Sequence, residues 1–371
     1  MHNKYNSVCI CGGGGLGHTL AASISHNGFK VNLLTGHPND WQNRIVVEDC
    51  NHKIIEGEIS KISNNPKDVI PFSDIVLICV PGYLIEQTLH TIAPYISNDM
   101  EVGSVISSGG FFWMANNELG KGHRSFSFQR VPYISRVREY GKSADLKGYK
   151  SLLKIGGNKN SDLEALAKFF TKALGTPTVT LGHYLEACLT NSNPILHPSR
   201  IYGMLSPMNE DKYEKCFLFY EEWDNFSSEI LIECDREFQE ILSHLPINKD
   251  EIPPLLDYYE STDVDSLTRK IRSIEAFKGI KMAMKEKEGS YYVDFSNRYF
   301  TEDVPFGLLI IKSLAVLLDI KTPVIDKVIF WMQDKMGKEY LTTNGLDGKD
   351  VKQSGIVQNF NIDNIDKLYN L

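Results

Sequence analysis

Residues 7–20 read SVCICGGGGLGHTL, and the order of residue types in this stretch decides the fold. SVCIC is a short apolar run that ends at four consecutive glycines, Gly12 to Gly15. Beyond them Leu16, Leu20 and Ile24 recur at a spacing of four, one face of a helix. Strand, glycine loop and helix in that order place Gly12-x-Gly14-x-x-Gly17 where a dinucleotide-binding turn needs it. One glycine makes the tight turn, a second lets the backbone approach a pyrophosphate, and the third lets the helix pack closely with its N-terminal N–H groups facing the anion. The backbone of Gly12, Gly14, Gly15, Leu16 and Gly17 is therefore expected to hold the cofactor.

Outward from the loop, VNLL (31–34) is predicted as a second strand and IVLICV (75–80) as a third, ended by Pro81-Gly82. SVISS (104–108) is predicted as a fourth. Strands alternating with helices indicate a parallel sheet with helices on both faces. Pro81, at the end of the third strand, is counted with the expected cofactor contacts. An acid at the end of the second strand would take the ribose hydroxyls of NAD, but Thr35 stands there and Asp40 comes too late. Thr35 with His37 and Arg44 suits a 2′-phosphate, so NADPH is expected in preference to NADH. Against this, His37 and Arg44 also suit plain loop positions.

From about residue 142 the pattern changes. Two β-like runs, 142–146 and 150–155, flank Lys147-Gly148 and suit a hairpin. SDLEALAKFFTKALG (161–175) opens with a capping box from Ser161 to Glu164 and stops at Gly175. After about 183 strands nearly vanish, and helices are predicted over 211–245, 264–288, 305–320 and 323–336. The chain is thus expected to be α/β, with an N-terminal Rossmann-type dinucleotide-binding domain over 1–183. An all-α C-terminal domain for substrate and catalysis is expected over 184–371, and 371 residues suit two domains.

Bulk composition excludes several classes. Lys+Arg number 39 against 47 Asp+Glu, a net charge of −8 with no basic run, so no nucleic-acid partner is expected. Cysteines at 9, 11, 50, 79, 188, 216 and 234 form no C-x-x-C pair, which argues for a reducing compartment and a cytoplasmic location. No signal peptide is read at MHNKYNSVCIC, and the apolar stretch 306–320 is too short to span a bilayer and contains Lys312. The histidines show no H-E-x-x-H or comparable ligand spacing, so no metal site is expected. Monomer and homodimer are both compatible with the sequence.

Two later stretches carry unusual residue groupings. TNSNPILHPSR (190–200) sets His197 between Pro194 and Pro198. Asn193-Pro194 resembles an N-cap with proline at the first helical position. Pro198 can scarcely sit inside a regular helix, so His197 is predicted at a stiff, kinked helix entrance. DFSNRYFTEDVPFGLLII (294–311) gathers Arg298, Glu302 and Asp303 at the mouth of an apolar helix. By themselves such charges are explained as helix caps or solvated groups.

Four segments together give the chain its family likeness. They are CGGGGLGH, FQRVPYISRVREYG (128–141), NPILHP and RYFTEDVPFG. On these the chain resembles the opine dehydrogenases, the octopine and nopaline dehydrogenase family, over nearly its whole length. The resemblance implies NAD(P)H-dependent reductive condensation of an amino acid with an α-keto acid, through an imine reduced by hydride. It also implies His197 as the acid–base group, Asp303 as its partner and Arg298 as the group that meets substrate carboxylate. Val131 to Arg136 departs from the tryptophan-containing version common in relatives, and Arg136 either binds substrate or braces the hairpin. Two other classes remain in view: a two-domain ketopantoate or 2-hydroxy acid type reductase that needs no amine, and a non-catalytic NADPH sensor.

Overall fold

The computed structural model describes residues 4–106, 110–208 and 210–371. They form two compact units, one extending to Thr190 and the other spanning Asn191–Asn370. The first unit runs β1 (Ser7–Cys11), α1 (Gly15–His26), β2 (Lys30–Leu34), β3 (Arg44–Asp49), β4 (Ile54–Glu58) and β5 (Lys61–Ser63). It continues with β6 (Ile75–Ile78), α2 (Gly82–Ile92), β7 (Glu101–Ser104), α3 (Phe111–Leu119), β8 (Arg124–Phe128), β9 (Tyr133–Glu139) and β10 (Ser143–Tyr149). β11 (Leu153–Gly157), α4 (Leu163–Leu174), β12 (Thr178–Thr180) and α5 (Tyr184–Cys188) complete it. The division follows Thr190 and not residue 183, because α5 packs on β11: a Cβ on Gly156 would stand 3.2 Å from both Tyr184 Cα and Ala187 Cβ.

Eight strands form one sheet in the order β12-β11-β8-β7-β6-β1-β2-β5. All neighbours are parallel except β11 and β8. Val8, Ile10, Val31, Leu33, Ile75 and Leu77 share a core with Leu20 and Ile24 of α1 and Leu166 and Phe170 of α4. Cys9 and Cys11 are buried as well, so β1 is covered on both faces, as a continuous apolar run in a parallel sheet should be. The chain moves from β1 out to β2 and β5, then returns to β6 on the other side of β1. The carboxyl ends of β1 and β6 therefore flank the crevice where this class of sheet takes its ligand.

A second sheet, β4-β3-β10-β9, is signalled in the sequence only by the run 142–146, which falls on β10. It replaces the hairpin expected around Lys147-Gly148. β9 and β10 pair with each other and turn at Gly141 (φ 72°), while β11 joins the large sheet beside β8. β7 covers 101–104 and not 104–108, since the Tyr5 hydroxyl and the Asp162 N–H both donate to Oε1 of the buried Glu101 carboxylate and so admit it to a strand. Ser107 and Ser108 lie outside the described residues. Asp162 caps α4 by accepting the Ala165 N–H, because the Ser161 hydroxyl is turned to the Ser125 carbonyl; Gly175 ends the helix left-handed, as expected.

The second unit contains α6 (Asn193–Leu205), α7 (Asn225–Ser243), α8 (Leu255–Tyr258), α9 (Val264–Ser273), β13 (Met284–Lys287) and β14 (Ser290–Val293). α10 (Arg298–Thr301), α11 (Leu309–Leu317), α12 (Pro323–Lys335) and α13 (Ile365–Tyr369) follow. It is helical with one small hairpin, so the expected helix over 264–288 ends at Ser273 and gives way to β13 and β14. The helix expected from 211 begins only at Asn225, capped by Asp224 accepting the Ser227 N–H. No helix among the described residues is long and apolar enough to cross a membrane.

Candidate active site

The glycine loop has the shape a dinucleotide requires. Gly12 has φ +128°, and a Cβ there would come within 2.6 Å of the Cys79 carbonyl oxygen at the end of β6. A Cβ on Gly17 would lie 2.1 Å from the Gly12 oxygen, so α1 approaches β1 only because that atom is missing. At Gly14, by contrast, a Cβ would meet nothing within 4 Å. The open position thus leaves room for an anion at the first turn of a twelve-residue helix. Gly15 and Leu16 form that turn, and Pro81 caps α2 just beyond β6.

The segment 128–141 braces this loop. The Ser135 hydroxyl is 2.8 Å from that of Thr19, and a Cβ on Gly13 would touch the Tyr140 hydroxyl. His18, wholly buried, sits 2.9 Å through Nδ1 from the Gly14 oxygen, and its Nε2 accepts the Gly141 N–H at 2.8 Å. Those two bonds require a neutral ring that donates from Nδ1. Burial accordingly lowers its pKa from the ordinary value. His18 thus braces the glycine loop against the segment that follows β9. Arg136 is exposed on β9 and bonds back to the Ser135 carbonyl, whereas Arg138 bridges the hairpin to Glu48 and Asp145.

The proposed cofactor-selecting residues are not all brought together. Thr35 is buried at the end of β2, where its hydroxyl accepts from the His37 N–H at 3.4 Å and lies 3.4 Å from the Tyr140 hydroxyl. His37 is exposed beside Tyr140, with ring centroids 6.4 Å apart. Arg44 lies on β3, and its Nη2 donates to Glu56 at 2.6 Å across the β3–β4 ladder.

In the second unit, His197 and Asp303 meet. Nδ1 of His197 is 2.7 Å from Oδ2 of Asp303, with side-chain exposures of 9% and 14%. The two motifs that carry them are in direct contact, since a Cβ on Gly307 would come within 2.9 Å of Pro194. Pro198 lies inside α6 and not at its edge, and Ser192 takes the N-cap position expected of Asn193. Proline there forfeits the N–H bond that would reach the Pro194 carbonyl. Asp303 stands directly before a π-turn, Val304–Leu308, in which the Leu308 N–H reaches the Asp303 carbonyl at 2.8 Å. A single wide turn of this kind re-aims the residues around it, and such turns recur at functional sites.

Two further groups complete the surroundings of His197, and neither was legible in the sequence. The Tyr220 hydroxyl lies 3.0 Å from Nε2, and the Tyr299 ring packs on the imidazole at 4.6 Å between centroids. Burial, foremost, with Tyr299, Tyr259 and Asp303 nearby, pushes the Tyr220 hydroxyl well above the ordinary phenol range. An aspartate carboxylate only accepts, so the His197 proton is assigned to Nδ1 and the neutral ring accepts the Tyr220 O–H. Arg298 opens α10, five residues ahead of Asp303, with its guanidinium paired to Glu302 and its side chain 61% exposed. Among the described residues no group of three or more His, Cys, Asp or Glu could hold a metal ion.

Comparison with known proteins gives two family matches. Residues 180–336 match the NAD/NADP octopine/nopaline dehydrogenase alpha-helical domain, and residues 7–119 match the N-terminus of NAD-dependent glycerol-3-phosphate dehydrogenase. The chain is 27% identical to octopine dehydrogenase of Pecten maximus, covering 97% of this chain and 98% of that one. It is 28% identical to opine dehydrogenase of Haliotis discus hannai, over 99% of each. A solved octopine dehydrogenase structure with NADH and L-arginine superposes with a TM-score of 0.87 at 25% identity, over 98% of each chain.

Proposed function

Since the chain belongs to the opine dehydrogenase family, we propose that it condenses an amino acid with an α-keto acid and reduces the product with a nicotinamide dinucleotide. The observation that carries this is the His197–Asp303 pair, built from the two motifs that distinguish the family from other glycine-loop oxidoreductases. The glycine loop from Gly12 to Gly17 and Pro81 are the groups that would hold the cofactor, which supplies a hydride when bound.

The protein's own residues handle the protons. Neutral His197 takes a proton from the substrate ammonium through Nε2, freeing the amine lone pair to attack the keto carbon. The imidazolium so formed is held by the Asp303 carboxylate at Nδ1. After attack, the nitrogen passes a proton to the former keto oxygen, and the imidazolium returns its own proton to the resulting hydroxyl, which leaves as water and leaves the protonated imine. General acid–base help of this kind contributes about 10²–10⁴-fold. Arg298 meets the keto-acid carboxylate with paired hydrogen bonds, exchanging Glu302 for the substrate.

NADPH is our choice over NADH, supported by the lack of an acid at Thr35. The engagement of Arg44 with Glu56 leaves Thr35 and His37 as the groups nearest the end of β2. We assign a cytoplasmic location and a monomer or homodimer. The deciding experiment follows NADPH and NADH absorbance with a grid of α-keto acids crossed with amino acids, each keto acid also being run alone. Oxidation only with both partners present is the expected result; oxidation by a keto acid alone would make the protein a carbonyl reductase.

A further inference from the structure

We infer that Tyr220 is a positioning residue of the acid–base pair: its hydroxyl is the partner of His197 Nε2 in both charge states of the ring, before and after the substrate exchanges its proton there. The inference rests on His197 being the acid–base group.

The placement is built and not incidental. Arg200 lies one turn beyond His197 on α6 and is 1% exposed. Its Nε donates to the Phe219 carbonyl at 2.8 Å and its Nη2 to the Glu222 carbonyl at 2.7 Å, while Nη1 pairs with Asp224 at 2.9 Å. One helix therefore presents the histidine and, a turn later, the clamp that fixes the segment carrying Tyr220. The Phe219 N–H is tied to the Ile280 carbonyl at 2.7 Å, and the Tyr220 ring stacks on Phe277 at 4.0 Å between centroids. The ring is therefore held in place, and the hydroxyl yields Nε2 only while the substrate exchanges a proton there.

A hydroxyl both donates and accepts, which suits it to a ring whose Nε2 alternates between acceptor and donor. Toward neutral His197 the Tyr220 O–H donates; toward the imidazolium its oxygen accepts the Nε2 proton. The second bond is charge-assisted and about twice as strong as the first, so the hydroxyl favours the protonated ring. The titratable groups facing the imidazole are Asp303 before the π-turn, Tyr299 on α10 and Tyr220 itself. Phe219 contributes an uncharged ring edge.

Tyr220→Phe keeps the stacked ring and removes one oxygen. Its His197 titration, followed by NMR of ring-labelled histidine and assigned with His197→Gln, should move to lower pH by about half a unit to one unit. The acidic limb of kcat/KM should move with it and kcat should fall about tenfold, with cofactor binding unchanged. A titration curve and pH profile that superimpose on those of the wild type would overturn the inference, since pure packing moves neither. If Tyr220→Phe does not fold, 3,5-difluorotyrosine placed at 220 must shift the titration in the same direction, and an unmoved curve again refutes it. Wild-type protein that oxidises no cofactor with amine and keto acid would sink the proposed reaction alone, leaving the titration to judge Tyr220.

Discussion

His197 Nδ1 and Asp303 Oδ2 stand 2.7 Å apart, joining side chains that enter from α6 and from the residue before a π-turn. The contact depends on small details of both segments. Pro194 seats against Gly307, and the wide turn after Asp303 sets the carboxylate against the imidazole. An aspartate so placed fixes which ring nitrogen carries the proton and steadies the imidazolium when it forms.

His197→Ala removes the proposed proton carrier and should lower kcat by about 10²-fold or more, within the range that general acid–base groups contribute. Asp303→Asn keeps the shape but not the charge and should lose a similar factor. Steady-state kinetics paired with a cofactor fluorescence titration check both. Wild-type turnover in either variant would remove the pair from the mechanism.

Arg298 separates binding from chemistry. Its guanidinium is exposed and engaged with Glu302, so Arg298→Ala should fold normally and raise the keto-acid KM. Losing a charge-assisted pair predicts a rise of roughly 10- to 100-fold. An unchanged keto-acid KM would place the carboxylate contact elsewhere.

The glycine loop makes a contrast between two one-carbon changes. A methyl at Gly14 meets no protein atom within 4 Å, so Gly14→Ala should melt like the wild type yet bind cofactor about tenfold or more weakly. A methyl at Gly17 would come 2.1 Å from the Gly12 oxygen, so Gly17→Ala should lose stability and binding together. Thermal melts with and without cofactor distinguish the two, and equal melting loss in both would contradict the open position at Gly14.

Much of this architecture was legible because it rests on local signals. Apolar runs, glycines and fourfold spacing read out β1, α1 and β2 almost residue by residue, and Gly175 marks the end of α4. The second sheet was legible only as the run 142–146 on β10, because β9 and β10 carry charges that belong to ion pairs across strands, such as Arg138 with Glu48 and Asp145. Glu101 hid the start of β7 for the same reason: its partner Tyr5 is remote in sequence. Proximity of NPILHP to EDVPFG is likewise a tertiary fact, and family resemblance alone joined them in advance. Tyr220 and Arg200 lack any spacing rule, since they act through a loop held by backbone carbonyls.

Cofactor choice tests the end of β2. Thr35→Asp supplies the acid that would grip ribose hydroxyls and repel a 2′-phosphate, so the NADPH to NADH ratio of kcat/KM should fall at least tenfold. Arg44→Ala should move that ratio less than about threefold, because its guanidinium is paired across the ladder with Glu56. A large loss of NADPH preference in Arg44→Ala would show that the pair opens to receive the phosphate.

His18 makes the cofactor loop sensitive to acid. Its ring must stay neutral to accept the Gly141 N–H, and burial, the largest influence, lowers its pKa from the ordinary 6.5. Above pH 6.5 the folded and unfolded rings are both neutral, and the stability His18 contributes is fully present. Below it the unfolded chain takes up the proton first, so stability falls with pH until the lowered folded value is reached. His18→Gln keeps a donor for the Gly14 oxygen and an acceptor for the Gly141 N–H without titrating. Wild-type Tm should therefore drop more steeply than that of His18→Gln as pH falls below 6.5, with buried His123 common to both. Parallel Tm profiles in the two proteins would mean that the ring does not titrate against the loop, and the acid sensitivity would have to come from His123 or the carboxylates.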